Sequence, residues 1–116
     1  MGWSGLDQRQ FPRLSADCEI AINDYVKGAI KARTENIGTG GVCVILAQEL
    51  PKLSHVRFHL VFSKSEKPLE CEGRVVWTVR SKNPASGKVS FDTGIEFLDL
   101  NPDQKTSLEQ FLRNSV

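Results

Sequence analysis

Two short stretches of the chain carry residues whose types and spacing suit the binding of an anion. Arg9 and Arg13 stand on either side of Pro12 in the segment RQFPR. Proline holds the residue before it in extended geometry, so we expect no regular helix through this segment. A guanidinium can fork onto a phosphate or onto the O6 and N7 acceptors of guanine, and it can stack on a base. The spacing alone is common, and solvated surface arginines are the other interpretation.

The second stretch is ENIGTGG at residues 35–41, which places three glycines before an apolar run. Glycine loses more backbone freedom on folding than any other residue, so the cluster needs a reason. The stretch lacks the GK[ST] of a Walker phosphate loop. It also lacks the spacing of a dinucleotide fingerprint, and a strand rather than a helix is predicted to follow. A tight turn into a buried strand, a phosphate cradle and half of a ligand site all stay open.

Catalytic and metal-binding chemistry has little support in the sequence. His55 and His59 fall on one face of a predicted strand, but that spacing separates them by about 13 Å, too far to share a metal. No GxSxG elbow or comparable motif holds a nucleophile. Cys18, Cys43 and Cys71 are odd in number and show no CxxC spacing, which predicts small buried hydrophobes in a reducing cytoplasm. We therefore predict no enzyme, no cofactor and no metal.

The elements that would position these residues are mainly strands, because the dominant period is two. Val42 to Leu46 is apolar on both faces, and residues 27–34 alternate less cleanly. The other predicted inner faces are Cys18, Ile20 and Ile22; Val56, Phe58, Leu60 and Phe62; Cys71, Gly73, Val75, Trp77 and Val79; and Phe91, Thr93, Ile95 and Phe97. Six strands with no helix between them predict a small antiparallel barrel or sandwich.

The C-terminal segment changes to a helical period. Asn101 is a favoured helix cap, Pro102 suits the first helical position, and Asp103 suits the positive end of the helix dipole. One apolar stripe follows, made of Leu108, Phe111 and Leu112. This short helix must pack on the strands to persist.

Length and charge limit the class of protein. A chain of 116 residues fits one domain, and a net charge of +1 provides no global field for nucleic acid or anionic lipid. No apolar run approaches the roughly 20 residues of a membrane span, and the N-terminus lacks the regions of a signal peptide. We therefore expect a cytoplasmic protein with neither nucleic-acid binding nor membrane insertion.

The order of these features resembles the PilZ family, whose two motifs are RxxxR and [D/N]xSxxG. Arg9 and Arg13 match the first motif, and Asn36 and Gly41 match the ends of the second. Gly38 departs from the pattern, because the family has serine at that position. The segments GRVVW at 73–77 and TGIEFLDL at 93–100 agree as well, so the resemblance extends from about residue 9 to residue 112.

This resemblance implies an all-β fold, a six-stranded antiparallel β-barrel with a C-terminal α-helix over residues 15–116. A flexible lead-in at residues 1–14 would carry RxxxR. The implied ligand is cyclic di-GMP (c-di-GMP), a bacterial second messenger, and the implied output is contact with an unidentified effector protein that controls motility, biofilm or exopolysaccharide.

The resemblance also implies a role for each site residue. Arg9 and Arg13 would wrap the ligand, Asn36 would hydrogen-bond a guanine, and Gly41 would admit the ligand close to the backbone. Gly38 leaves this set without the serine hydroxyl. It therefore favours the alternative, an adaptor of the same fold that has lost nucleotide binding and acts only by protein contacts. A small-barrel nucleic-acid binder is a third, less supported class.

Overall fold

The computed structural model describes residues 13–15, 18–24, 28–61 and 67–114. Within these residues the chain forms seven strands and one helix. They are β1 Arg13–Ser15, β2 Glu19–Asp24, β3 Gly28–Gly38, β4 Gly41–Leu46, β5 His55–Val61, β6 Leu69–Lys82, β7 Val89–Phe97 and α1 Pro102–Asn114. Both β3 and β6 run further than the alternation of the sequence predicted.

Strands β2 to β7 close into an antiparallel barrel. The order around the sheet is β3, β2, β5, β6, β7 and β4, and the pairing of β4 with β3 completes the ring. Closure leaves no open edge among these six strands, so their backbone groups are paired within the barrel. The predicted six-stranded antiparallel barrel with a C-terminal helix is thus confirmed.

The seventh strand, β1, extends the sheet along the second half of β3. Its register places Arg13 opposite Gly38, Leu14 opposite Ile37 and Ser15 opposite Asn36. The predicted border between lead-in and barrel, at residue 14, therefore falls inside a strand. Residues 1–12, which include Arg9, lie outside the described residues.

The core fills the barrel with the inward residues of alternate strand positions. Ile22, Phe58, Val75 and Ile95 are almost fully buried. Complete burial of such a side chain stabilises the fold by about 1.5–3 kcal/mol relative to exposure. The ring of Phe58 also lies 5.4 Å from that of Phe97, centroid to centroid. The predicted inner faces of these strands are therefore correct over most of their length.

Strand β6 departs from its predicted alternation. Cys71, Gly73 and Val75 are buried as predicted, but the register shifts between Val75 and Trp77. This bulge adds one residue to β6, so Trp77 pairs with Gly94, an outward position, and Val79 is 55% exposed. The prediction that Trp77 and Val79 face inward is wrong, because one extra residue reverses the face of every residue after it.

Helix α1 begins and packs as the sequence predicted. The Asn101 side chain accepts a hydrogen bond from the Gln104 N–H at 2.8 Å, and the Gln104 side chain accepts one from the Asn101 N–H at 3.0 Å. This reciprocal capping box satisfies amide groups that a helix start would leave unpaired. Leu108 and Leu112 are buried in the barrel core. The Gln104 side chain also donates to the carbonyl of Glu70 at the start of β6.

All three cysteines are free thiols and all are buried, as predicted. Cys43 and Cys71 lie in β4 and β6, whereas Cys18 directly precedes β2. Burial raises the pKa of the Cys71 thiol to about 12, and the nearby Asp99 carboxylate raises it further. At neutral pH this thiol stays protonated and unreactive.

Candidate ligand-binding face

The glycine-rich stretch forms the second half of β3, a tight turn and the start of β4. Asn36 and Gly38 lie in β3, Thr39 and Gly40 form the turn, and Gly41 begins β4. The carbonyl of Gly40 accepts a hydrogen bond from the N–H of Phe97 at 3.0 Å, which ties the turn to β7. A turn leading into a buried strand is therefore present, and its glycines lie at one end of the barrel wall.

Strand pairing brings the predicted residues of the two motifs together in part. The backbone of Arg13 lies directly opposite Gly38, and that of Ser15 lies opposite Asn36. Gly41 lies at the other side of the turn, opposite Glu96 of β7. Four of the five predicted site residues therefore belong to one end of β1, β3 and β4, and the fifth, Arg9, lies outside the described residues.

A row of four residues crosses the outer wall beside this turn. Asn36 pairs with Cys43, Cys43 with Gly94, and Gly94 with Trp77, so the row runs through β3, β4, β7 and β6. A Cβ atom on Gly94 would fall within the indole ring of Trp77. Because Gly94 has no side chain, the indole can lie against the barrel wall. We call this set, Asn36, Cys43, Gly94 and Trp77, the aromatic row.

The sequence pattern predicted Trp77 on the inner face of a strand, and Gly94 was not identified as a site residue. A glycine in the interior of a predicted strand was the available signal, because such a glycine marks a close approach by another group. The signal was incomplete, since the alternation of β6 predicted Trp77 on the inner face. Only the bulge after Val75 brings Trp77 over Gly94.

A second row lies nearer the turn and carries charge. Gly41 pairs with Glu96, Glu96 with Arg74, and Arg74 with His55. The Arg74 guanidinium donates to one oxygen of Glu96 from Nε at 2.8 Å and from Nη2 at 2.5 Å. This pairing neutralises the Glu96 carboxylate, which lies opposite Gly41.

Cross-strand polar pairs occupy the outer surface of β5, β6 and β7, and those of Arg57 and Arg74 are ion pairs. Arg57 Nη1 lies 2.9 Å from Glu72 Oε2, and His59 Nδ1 lies 2.9 Å from Glu70 Oε2. We call this surface the paired face; its members are Arg57, His59, Glu70, Glu72, Arg74 and Glu96. His55 and His59 both lie on the outside of β5, as predicted. The described residues contain no group of three side chains able to hold a metal.

The binding surface suggested by these rows is an open wall rather than a pocket. A groove of about 450 Å³ exists between β2, β3 and β5, lined by Ala21, Lys31, Arg33 and His59 among others. None of the predicted site residues lines it. The aromatic row instead offers the amide of Asn36 and the indole ring of Trp77, which together suit a planar ligand with hydrogen-bonding edges.

Thr39 supplies a hydroxyl next to the serine position that Gly38 leaves empty. Its oxygen is buried and, among the described residues, has no hydrogen-bond partner. A buried hydroxyl without a partner costs about 1–3 kcal/mol. The Thr39 hydroxyl is thus an unused polar group beside Gly38 and enclosed within the turn.

Comparison with known families and structures agrees with this fold. The PilZ domain family model matches residues 7–114. No curated protein matches the chain significantly. In the described part of the chain, α1 falls short of what a membrane-spanning helix requires.

Three solved structures illustrate the likeness. The Bacillus subtilis inhibitor of motility MotI/DgrA aligns with a TM-score of 0.76 and 21% identity over 94% of this chain and 51% of that one. The PilZ domain of Escherichia coli YcgR with c-di-GMP aligns with a TM-score of 0.75 and 12% identity, over 93% of this chain and 91% of that one. The K. pneumonia MrkH–c-di-GMP complex aligns with a TM-score of 0.77 and 12% identity, over 94% of this chain and 52% of that one. The chain thus spans about half of MotI and of MrkH, and identities this low show the fold alone.

Proposed function

The chain belongs to the PilZ domain family, and from this premise we propose that it is a c-di-GMP receptor that signals through a protein partner. The observation that carries the proposal is the register of β1 on β3. It sets Arg13 opposite Gly38 within the sheet, beside Asn36 and across the turn from Gly41. This register supports a site in which Arg13, the described end of the first motif, acts together with the second motif.

Each proposed contact follows from the chemistry of the ligand. The phosphates and the O6 and N7 acceptors of guanine suit the guanidinium groups of Arg9 and Arg13. The donor and acceptor groups on a guanine edge suit the amide of Asn36. Gly38 and Gly41 allow close approach to the backbone, because neither carries a side chain.

The aromatic row adds a contact that the motifs do not contain. The indole of Trp77 lies over Gly94, in the same row as Asn36. A guanine held by Asn36 or its neighbours could stack on this ring, and such stacking is worth about 1–3 kcal/mol per base. Ligand binding should then change the fluorescence of Trp77.

Gly38 lowers the affinity that we expect for c-di-GMP, because it lacks the serine hydroxyl of the motif. Loss of one hydroxyl hydrogen bond costs about 0.5–1.5 kcal/mol, a roughly threefold to tenfold loss of affinity. The Gly38→Ser variant should recover this factor. Thr39→Val, which keeps the shape and removes the hydroxyl, should weaken binding by a similar factor if Thr39 supplies the donor.

Calorimetric titration with c-di-GMP tests the proposal. Wild type should give a saturable binding isotherm, and Arg13→Ala should weaken affinity by about tenfold or more, because it removes a charged contact to the phosphates. The matched control is Arg57→Ala, which removes the same charge from a half-exposed side chain on the paired face. It should leave the affinity unchanged. If folded wild type gives no binding heat with c-di-GMP, the proposed receptor function is wrong.

The alternative function is an adaptor of the same fold that no longer binds nucleotide. Gly38 is the specific observation that favours it, since the motif's hydroxyl is missing. Under this alternative wild type gives no isotherm, and Gly38→Ser fails to restore one. The Arg13–Gly38 register favours the receptor instead.

The pathway and the location belong to the same proposal. MotI is described as an inhibitor of motility, so control of motility, biofilm or exopolysaccharide is a reasonable output to test first. MrkH is described as a c-di-GMP-dependent transcription regulatory factor. Freedom from nucleic-acid binding therefore stays a prediction for this chain. The free, buried cysteines suit a reducing cytoplasm, and we propose a receptor there rather than an enzyme.

A further inference from the structure

The outer wall beyond the aromatic row carries two exposed aliphatic side chains around a carboxylate. Ile45 of β4 and Val79 of β6 both pair with Asp92 of β7, one on each side. Their side chains are 46% and 55% exposed. Directly opposed residues on adjacent strands lie within about 5 Å of one another, so the three form one continuous surface.

A second carboxylate, Glu35, adjoins this surface. Glu35 lies at the irregularity of β3, and one of its oxygens is 3.5 Å from the sulfur of Cys43. Partial burial raises the pKa of Asp92, and the charge of Glu35 raises it further. Among the described residues no cation lies within ion-pair distance of Asp92 or Glu35. We call Glu35, Ile45, Val79 and Asp92 the acidic patch.

The hairpin between β6 and β7 carries the opposite charge. Every residue from 80 to 88 is exposed, and this segment contains Arg80, Lys82 and Lys88. No aspartate or glutamate occurs from residue 80 to residue 91. No ion pair of these cations is found within the described part of the chain. We call residues 80–88 the basic ribbon.

The basic ribbon is an ordered arm with a defined tip. Lys82 pairs with Val89, so the ladder continues to the end of the strands. At the tip, the Asn83 side chain accepts hydrogen bonds from the N–H groups of Ala85 at 2.8 Å and Ser86 at 3.1 Å. Gly87 takes a positive φ of 74°, which suits the tight return of the chain. The positive charges are therefore held on a structured projection.

Within the described residues of one molecule, no ion pair joins the patch to the ribbon. The two adjoin on β6 and β7, where Val79 meets Arg80 and Phe91 meets Asp92. Alternate residues of a strand face opposite sides, so Arg80 and Lys82 lie on the side away from Asp92. Lys88 falls on the same side as Asp92, four residues away along the chain, and forms no ion pair with it. The charges of Arg80 and Lys82 therefore remain available to a second molecule.

We propose that the acidic patch binds the basic ribbon of a second copy of this chain, in a two-fold symmetric dimer. In an isologous interface each copy presents the same surface, so two identical patch–ribbon contacts form at once. The contact pairs Asp92 and Glu35 with Arg80 and Lys82 of the other copy, and it covers Ile45 and Val79. The proposal is independent of c-di-GMP.

Sedimentation velocity on the full chain over a concentration series tests it. Wild type should shift from monomer to dimer as concentration rises, and the dimer should weaken when salt is raised from about 50 mM to 500 mM. Asp92→Lys and Lys82→Glu should each weaken self-association by about tenfold or more, because each creates like-charge contacts. An equimolar mixture of the two should recover dimers, since every contact then joins opposite charges.

Matched controls and a second variant keep the result decisive. Lys105→Glu and Glu109→Lys make the same charge changes on exposed positions of α1 and should leave self-association unchanged. Glu35→Lys probes the patch at an exposed position if Asp92→Lys fails to fold. A chain that stays monomeric over the whole concentration series overturns the proposal. The acidic patch would then be a candidate surface for a basic segment of a different protein. The proposal is also overturned if Asp92→Lys, Lys82→Glu and Glu35→Lys all form dimers as strongly as wild type does.

Discussion

The paired face and the aromatic row lie on the same barrel, are built by the same alternation, and differ in what they offer a ligand. On the paired face the charged side chains meet partners across the strands, such as Arg57 with Glu72 and Arg74 with Glu96. In the aromatic row an amide, a thiol, a glycine and an indole lie side by side. A guanidinium bound to a carboxylate has fewer hydrogen bonds to offer a ligand, whereas the half-buried indole of Trp77 offers an aromatic surface.

On a small barrel, a binding site is marked by what the outer strand positions leave unpaired or uncovered. Outward charges by themselves do not mark a site, since cross-strand pairing can satisfy them and such exposed pairs contribute little to stability. Small residues on an outer strand position are more informative, because they permit an approach that ordinary side chains prevent. Gly94 permits the close approach of the Trp77 ring. We propose that Gly38 and Gly41 permit the close approach of the nucleotide.

The largest expected effect comes from filling the space above Gly94. In Gly94→Ala the new methyl group would fall within the Trp77 ring, so the indole must leave the wall. We expect the unfolding free energy in urea to fall by about 2 kcal/mol, as for other overpacked sites. Tryptophan emission of the folded protein should change at the same time.

Gly28→Ala provides the control for this substitution. A Cβ there meets nothing within 4 Å, and the cost comes only from its φ of +84°. We expect a loss of about 1 kcal/mol without a change in tryptophan emission. Equal emission from Gly94→Ala and wild type would show that Trp77 does not depend on Gly94, and the aromatic row would lose its defining feature.

A smaller effect should follow from breaking the most closely bonded pair of the paired face. Glu96→Gln leaves the Arg74 guanidinium, which makes two hydrogen bonds to this carboxylate, with a neutral partner. Both side chains are partly exposed, so we expect a loss of about 0.5–1 kcal/mol in urea unfolding. A double-mutant cycle with Arg74→Met isolates the coupling. Zero coupling would show that this face is not stabilised by its pairing.

The smallest effect has the opposite sign and concerns the acidic patch. Burial and then Glu35 raise the pKa of Asp92 above its ordinary value of 3.8. Between that value and the raised pKa, the folded state keeps a proton that the unfolded state has lost. Stability attributable to Asp92 therefore falls as pH rises through this window, and at neutral pH the charged carboxylate is a constant penalty.

Asp92→Asn should remove that penalty. At neutral pH the variant should be more stable than wild type by about 0.5 kcal/mol or less, because water screens a partly exposed carboxylate. Below pH 3.8 the advantage should disappear, since the wild-type carboxyl is then protonated in both states. Urea unfolding across this pH range, at protein concentrations where the chain is monomeric, checks both points. A variant less stable than wild type at neutral pH would mean that Asp92 has a favourable partner.

Much of the fold could be read from local patterns. The positions of β2, β4, β5 and β7 follow from alternation, and the start of α1 follows from Asn101 and its neighbours. The stretch around Asn36 and Gly41 was identified from its composition and from its resemblance to a family motif. These predictions succeed because each depends on residues that are near one another in the chain.

Whether a strand residue faces inward or outward is harder to predict from the sequence, and β6 shows why. The sequence places Trp77 in phase with Val75, but the bulge between them turns Trp77 to the outside, over Gly94. Whether a strand bulges depends on the partner strand and on how the barrel closes. Because the side-chain period is two, a single inserted residue reverses every later position.

Local sequence patterns specify which segments become strands, which become helix, and which residue types are available for a ligand. The contacts between these residues come from the tertiary structure: Arg13 with Gly38 through β1, Trp77 with Gly94 through the bulge, and Arg74 with Glu96 across β6 and β7. The reason is physical. Alternation and capping act over a few residues, whereas a site on a barrel wall is assembled by register between strands distant in the chain.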